Sequence, residues 1–66
     1  MELRINGELR TVPDGLTVSD FLDHLGLPKT GVAVAIDRQV VPAAQWGETP
    51  LVAGTAVEVI RAVGGG

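Results

Sequence analysis

The sequence contains no cysteine and no tyrosine, and only one histidine, one tryptophan and one phenylalanine in 66 residues. Without cysteine there is no disulfide staple, no thiolate metal site and no thiol nucleophile, which fits a reducing cytosol. Any sulfur chemistry must run through something other than a thiol of this chain. The single histidine further thins the list of catalytic groups, so a conventional enzyme active site is hard to assemble. Basic residues are scarce too: five Lys and Arg against eight Asp and Glu give a net charge of −3, scattered along the chain. An acidic chain without a basic stripe repels phosphate backbones, which argues against nucleic-acid binding. Long apolar runs are also missing. Met1-Glu2-Leu3-Arg4-Ile5 alternates rather than following a basic start with an apolar stretch. Neither a signal peptide nor a membrane span is expected, and the protein is expected to be cytoplasmic.

The length predicts one domain, residues 1–66, small enough that only about 60% of the unfolded surface is buried on folding. Leu3 and Ile5 alternate with polar neighbours as in a half-buried strand, Asn6-Gly7 is a tight-turn pair, and Glu8 to Val12 reads as the returning strand. A two-residue loop sets Leu9 opposite Arg4, off the face of Ile5. Either the loop has three residues and a bulge, or Leu9 lies outside the main core. Pro13-Asp14-Gly15 is turn chemistry, and Thr17 with Asp20 has capping-box spacing. Val18, Phe21, Leu22 and Leu25 then form one apolar helical stripe, ended by Gly26 and Pro28, with Leu27 placed to pack back on Leu22.

Val32, Val34 and Ile36 alternate with Ala33 and Ala35, predicting a central strand with two apolar faces. Asp37-Arg38-Gln39 turns the chain into Val40-Val41, Pro42 ends that strand, and Ala43 to Trp46 is long enough for one helical turn. Ala56 to Arg61 is the last strand. Strand, strand, helix, strand, strand, short turn, strand is an α+β order. It predicts the β-grasp arrangement: a mixed sheet of about five strands, one main helix across it, and the first and last strands as parallel neighbours at the centre.

The remaining feature is the end, Val63-Gly64-Gly65-Gly66, next to the apolar run Val57 to Ile60. Three glycines taken alone read as a flexible end. Here they abut a strand with no polar linker between, so residues 62–66 are expected to form a flexible tail, slim enough for Gly64 and Gly65 to thread a narrow channel. The reactive atom is then the terminal carbonyl carbon of Gly66. Ordering such a tail costs about 1–2 kcal/mol per residue, which a partner must recover from contacts with the folded body. Ile60 falls on the open face of the last strand and, with Ala62 and Val63, is a candidate docking surface, against the reading of Ile60 as an ordinary singly exposed residue.

Other features carry less. His24 suits the helix dipole, Asp20 and Asp23 a solvated face, and Trp46 a packing anchor without the basic groups of a stacking platform. No metal site is expected. The glycines lack the lysine and following helix of a phosphate loop. The molecule reads as a substrate rather than a catalyst.

Along its whole length the sequence resembles ThiS, the ubiquitin-like sulfur-carrier family of thiamin biosynthesis. The matching residues are Asn6-Gly7-Glu8, Leu16-Thr17-Val18, Val41-Pro42 followed by Trp46, Val57-Glu58-Val59 and the terminal glycines. Thr55 stands where the family often has an acidic residue and Ala43 where a basic one is common; both fall in turns. The resemblance implies no bound cofactor. A ThiF-like adenylyltransferase would use ATP and Mg²⁺ to adenylate Gly66, and a cysteine desulfurase or rhodanese-type donor would supply sulfur to make a Gly66 thiocarboxylate. A ThiG-like thiazole synthase would accept that sulfur. Molybdopterin synthesis and tRNA thiolation use the same chemistry and stand as alternatives. A lysine-linked protein modifier and an interaction module with inert glycines are the readings from other classes.

Overall fold

The computed structural model describes residues 1–61. Five strands form one mixed sheet: β1 (Glu2–Ile5), β2 (Glu8–Thr11), β3 (Val32–Ile36), β4 (Gln39–Val41) and β5 (Ala56–Arg61). Their order across the sheet is β2-β1-β5-β3-β4. β1 and β5 run parallel, with Arg4 beside Ala56 and Ile5 beside Val57, and the other pairs are antiparallel. One helix, α1 (Val18–His24), and a 3₁₀ segment, Ala43–Glu48, complete the fold. This is the β-grasp arrangement that the element order predicts.

The helix forms where its local signals place it. Thr17 Oγ1 accepts from the Asp20 N–H and an Asp20 carboxylate oxygen accepts from the Thr17 N–H, both at 3.2 Å, which satisfies two donors that a helix start leaves free. At the other end Gly26 takes φ +70°, a conformation glycine adopts without Cβ strain. The N–H groups of Gly26 and Leu27 then return to the carbonyls of Asp23 and Leu22, both at 3.0 Å, a Schellman motif. Leu27 packs against the core, as its position after Gly26 predicts.

Val18, Phe21 and Leu22 are fully buried on the inner face of the sheet, against Leu3 and Ile5 of β1, Val34 of β3 and Val57 of β5. Leu25, the fourth member of the stripe, is half-buried at the margin. Trp46 and Leu51 close the core beside the helix, and no polar or charged residue is buried among the described residues. The 49–51 stretch is strapped to the helix start: Val18 donates to the Thr49 carbonyl and Leu51 to the Leu16 carbonyl, both at 2.9 Å.

Four local expectations need correction or a choice. The first hairpin has a two-residue loop, Asn6 (φ 49°) and Gly7 (φ 85°), with Ile5 paired to Glu8 and Arg4 to Leu9. Both loop residues having positive φ matches the twist of the flanking strands, so no bulge is needed and Leu9 stays out of the core, 60% exposed. Gln39 belongs to β4, paired with Ile36, which leaves a second two-residue turn of Asp37 and Arg38. The helical turn at Ala43 continues to Glu48 as a 3₁₀ segment. Finally β3 lies between β5 and β4, paired on both edges, while β5 is the middle strand. Its second face is not covered: Ala33 is exposed, because the one helix packs on the opposite side.

Candidate functional site

Strand alternation divides the sheet into the face under the helix and an open face, and cross-strand partners share a face. Val57 and the half-buried Val59 point inward, so Ala56, Glu58 and Ile60 point outward, as the alternation predicts. Pairing carries that assignment across the sheet. Ile60 lies opposite Ala33, Glu58 opposite Ala35, and Ala35 opposite Val40. On the other side Ala56 lies beside Arg4, and Arg4 opposite Leu9.

Ile60 is therefore not singly exposed. Ile60 (59% exposed) and Val40 (72% exposed) flank the small side chains of Ala33 and Ala35, giving an apolar strip with alanines as its floor. At its Ile60 end is a depression of about 300 Å³ lined by Gly31, Val32, Ala33 and Ile60. A more polar hollow of about 430 Å³ lies toward the start of β5, lined in part by Arg4, Asp37, Arg38 and Glu58. An apolar centre with a charged margin is the common anatomy of a protein-docking patch. Sequence reading singled out Ile60 as exposed on this face and did not name Val40, Ala33 or Ala35 beside it. The usable signal was the doubly apolar β3 in a chain with only one helix to cover the sheet.

The other candidate positions, Ala62, Val63, Gly64, Gly65 and Gly66, lie outside the described residues. β5 leads toward them and is held firmly up to Val59. The N–H of Val59 donates to Asn6 Oδ1 at 2.9 Å and its carbonyl accepts from Asn6 Nδ2 at 3.2 Å, a tie between residues 53 apart that sequence reading missed.

The side chains weighed for chemistry have structural employment. Asp20 caps α1, Asp23 meets Lys29 at 3.1 Å, and His24 sits exposed in the last helical turn. The Trp46 indole is buried, and its N–H is bonded to the Val41 carbonyl. Among the described residues no three His, Asp or Glu side chains gather as a metal site, and no helix is long and apolar enough to cross a membrane.

A five-stranded mixed sheet grasping one helix, with an open apolar face and its middle strand leading into a glycine-rich end, defines a ubiquitin-like β-grasp protein. The ThiS family model matches residues 3–66, and the chain belongs to that family, the sulfur carriers of thiamine biosynthesis, which are not themselves enzymes. The sulfur carrier protein ThiS of Escherichia coli is 29% identical over 66 residues, all of both chains. A thiazole synthase of Paramagnetospirillum magneticum is 33% identical over 66 residues, all of this chain but only 20% of that protein, so the chain spans about one fifth of that relative's length. The crystal structure of a thiamine biosynthesis protein, ThiS, from Geobacter metallireducens superimposes with a TM-score of 0.85 at 30% identity, covering all of both chains. A solution structure of a thiamine biosynthesis protein from the same organism gives 0.87 at 30% identity, covering all of this chain and 88% of that one.

Proposed function

We propose that this chain carries sulfur as a thiocarboxylate on Gly66 and delivers it for assembly of the thiamin thiazole. The observation that carries the proposal is the family match over residues 3–66, which takes in the glycines that β5 leads into. A carboxylate is ionised at neutral pH, nucleophilic toward phosphorus but a poor acyl donor. A ThiF-like adenylyltransferase, using ATP and Mg²⁺, joins the Gly66 carboxylate oxygen to the α-phosphorus and releases pyrophosphate. The acyl-adenylate is then open to a sulfur nucleophile, ultimately a cysteine persulfide from a desulfurase or rhodanese-type donor, which displaces AMP to form an acyl disulfide. A second thiol on a partner enzyme then attacks the donor cysteine's sulfur, releasing the Gly66 thiocarboxylate and leaving a disulfide between the two cysteines. Gly64 and Gly65 keep the Gly66 carbon accessible by presenting no side chain to the channel they enter.

Delivery is to a ThiG-like thiazole synthase. The relative from Paramagnetospirillum magneticum supports this partner, because a segment similar to this whole chain occurs within a protein named thiazole synthase. Residues 62–66 act as the reactive tail of one β-grasp domain. Ile60 with Ala62 and Val63 guides the partner toward it, and the strip from Ile60 to Val40 gives the folded body a surface to dock.

Mass spectrometry tests the reading. Incubation with the activating enzyme, ATP and a sulfur source exchanges one carboxylate oxygen for sulfur, a gain of about 16 Da, which a chain lacking Gly66 does not acquire. A wild-type chain that never gains that mass sinks the proposal. Growth of a thiazole-requiring strain on this gene separates the thiazole role from molybdopterin synthesis or tRNA thiolation.

A further inference from the structure

β1 ends at Ile5, where the chain turns back through Asn6 and Gly7, but β5 continues past Val57, the partner of Ile5, to Arg61. The last main-chain bond between the two strands runs from the Asn6 N–H to the Val57 carbonyl, at 2.9 Å. In a parallel pair a longer β1 would accept the Val59 N–H at one peptide's carbonyl and donate to the Val59 carbonyl from the N–H of the peptide after it. β1 turns away at Asn6 and Gly7 before two successive peptides can do this, and the Asn6 side chain supplies both bonds instead. A carboxamide has the same acceptor and donor as a peptide unit, so Asn6 extends β1 by one rung.

Strand geometry makes this rung the last on that edge. The N–H and C=O of one residue point to the same edge of a strand, so β3, on the other side of β5, cannot reach those of Val59. Past Val59 the described strand is paired through β3, Ile60 with Ala33 and Arg61 with Val32. The turn does not account for the residue. A type I′ hairpin accepts Asn, Asp or Gly at the position of Asn6, whereas bonding both groups of Val59 requires a carboxamide.

We propose that Asn6 is a positioning residue for the reactive end, fixing Val59 as the last residue of β5 held on the β1 edge. The inference rests on Gly66 being the sulfur-carrying position. Seven residues, 60 to 66, then separate that anchor from the end, an extended reach of about 23–25 Å. Without the carboxamide the anchor retreats to Val57 and two more residues must be ordered when the end enters a partner's site. Because β3 still holds the other edge, the loss is about tenfold in reaction efficiency, less than two wholly free residues would cost.

Asn6→Gly is the decisive variant, since Gly-Gly also makes the type I′ turn and only the side-chain bonds are lost. In the isolated protein, amide exchange at Val59 is expected to quicken about tenfold, with amides of the α1 core unchanged. With the activating enzyme, kcat/KM for thiocarboxylate formation is expected to fall about tenfold. Versions lacking residues 64–66, with and without the substitution, are expected to bind that enzyme equally, because the docking strip is untouched. Asn6→Asp keeps the acceptor for the Val59 N–H and loses the donor, and is expected to fall between Gly and wild type. Unchanged Val59 exchange in Asn6→Gly overturns the proposal, as does faster exchange with unaltered kcat/KM. Weaker binding of the truncated Asn6→Gly body also overturns it, since Asn6 would then act in docking. A wild-type chain that is never converted counts against the carrier reading, and the anchor is then judged on Val59 exchange alone.

Discussion

The indole N–H of Trp46 donates to the carbonyl oxygen of Val41 at 2.9 Å, across a loop closed at its base by the Gln45 N–H bonded to the Pro42 carbonyl at 2.8 Å. The Val-Pro-x-x-x-Trp spacing thus has a mechanical meaning. Pro42 ends β4, the 3₁₀ turn swings the indole back under the sheet, and Trp46 is left 4% exposed with its one polar atom satisfied. Trp46→Phe is expected to cost about 1–2 kcal/mol through the lost bond and smaller ring, and Trp46→Ala about 3–5 kcal/mol. A chain of this size has about 3–10 kcal/mol in total, so Trp46→Ala should be largely unfolded at 37 °C. Urea unfolding followed by circular dichroism measures both. A Trp46→Ala protein with a wild-type midpoint would mean that the indole does not anchor this corner.

The reciprocal cap of Thr17 and Asp20 is exposed to water but serves a helix of only seven residues. So short a helix has little propagation free energy of its own and depends on its ends and its packing. Thr17→Ala is expected to destabilise the protein by about 1 kcal/mol, lowering the melting temperature by about 4–8 °C, while Thr17→Ser should be close to neutral. Equal losses for Ala and Ser would indicate that the Thr17 methyl, not its hydroxyl, is what matters.

What the sequence made legible was local. The caps of α1, its apolar stripe, the Asn6-Gly7 turn and the bounds of β5 each follow from residues a few positions apart. The order of those elements then implied the parallel β1–β5 pair. The hairpin loop length could only be narrowed to two choices, because Leu9 suits a bulged core strand and an exposed one alike until its partner is known. The two apolar faces of β3 marked an interior strand but not which face the helix covers, since periodicity cannot tell a covered face from an open one. The tie from Asn6 to Val59 was out of reach: it joins residues 53 apart, and the turn already explained the asparagine.

Arg38 occupies the second position of the β3–β4 turn with φ +70°, and Asp37 precedes it at +49°. Asp37 tolerates this region and its Oδ1 accepts from the Ala56 N–H at 3.3 Å, but a long side chain such as Arg gains nothing comparable and carries the Cβ penalty of about 1–2 kcal/mol. Arg38→Gly relieves that strain at some cost in unfolded-chain entropy, for a net gain of about 0.5–1 kcal/mol. Differential scanning calorimetry should place its melting temperature a few degrees above wild type. A lower value would mean that the Arg38 side chain contributes contacts outweighing the strain.

If the strip from Ile60 to Val40 docks the activating enzyme, its members should matter unequally to folding and to partner binding. Ile60 lies past the last rung to β1 and is largely exposed, so Ile60→Glu removes little buried area and should change stability by less than about 1 kcal/mol. A charge placed in the centre of an apolar contact must be desolvated on docking, and a loss of about 2 kcal/mol, some thirtyfold in affinity, is expected. Val40→Glu, across the alanine floor, should act in the same direction. Leu9→Glu supplies the control: Leu9 is as exposed as Ile60 and shares the face, but it lies beyond β1 with Arg4 and Ala56 between. Titration of each variant against the activating enzyme by calorimetry, with folding checked by circular dichroism, should rank Ile60 and Val40 well above Leu9. Equal losses at all three would spread the contact over the whole open face, and no loss at Ile60 would move docking off the strip.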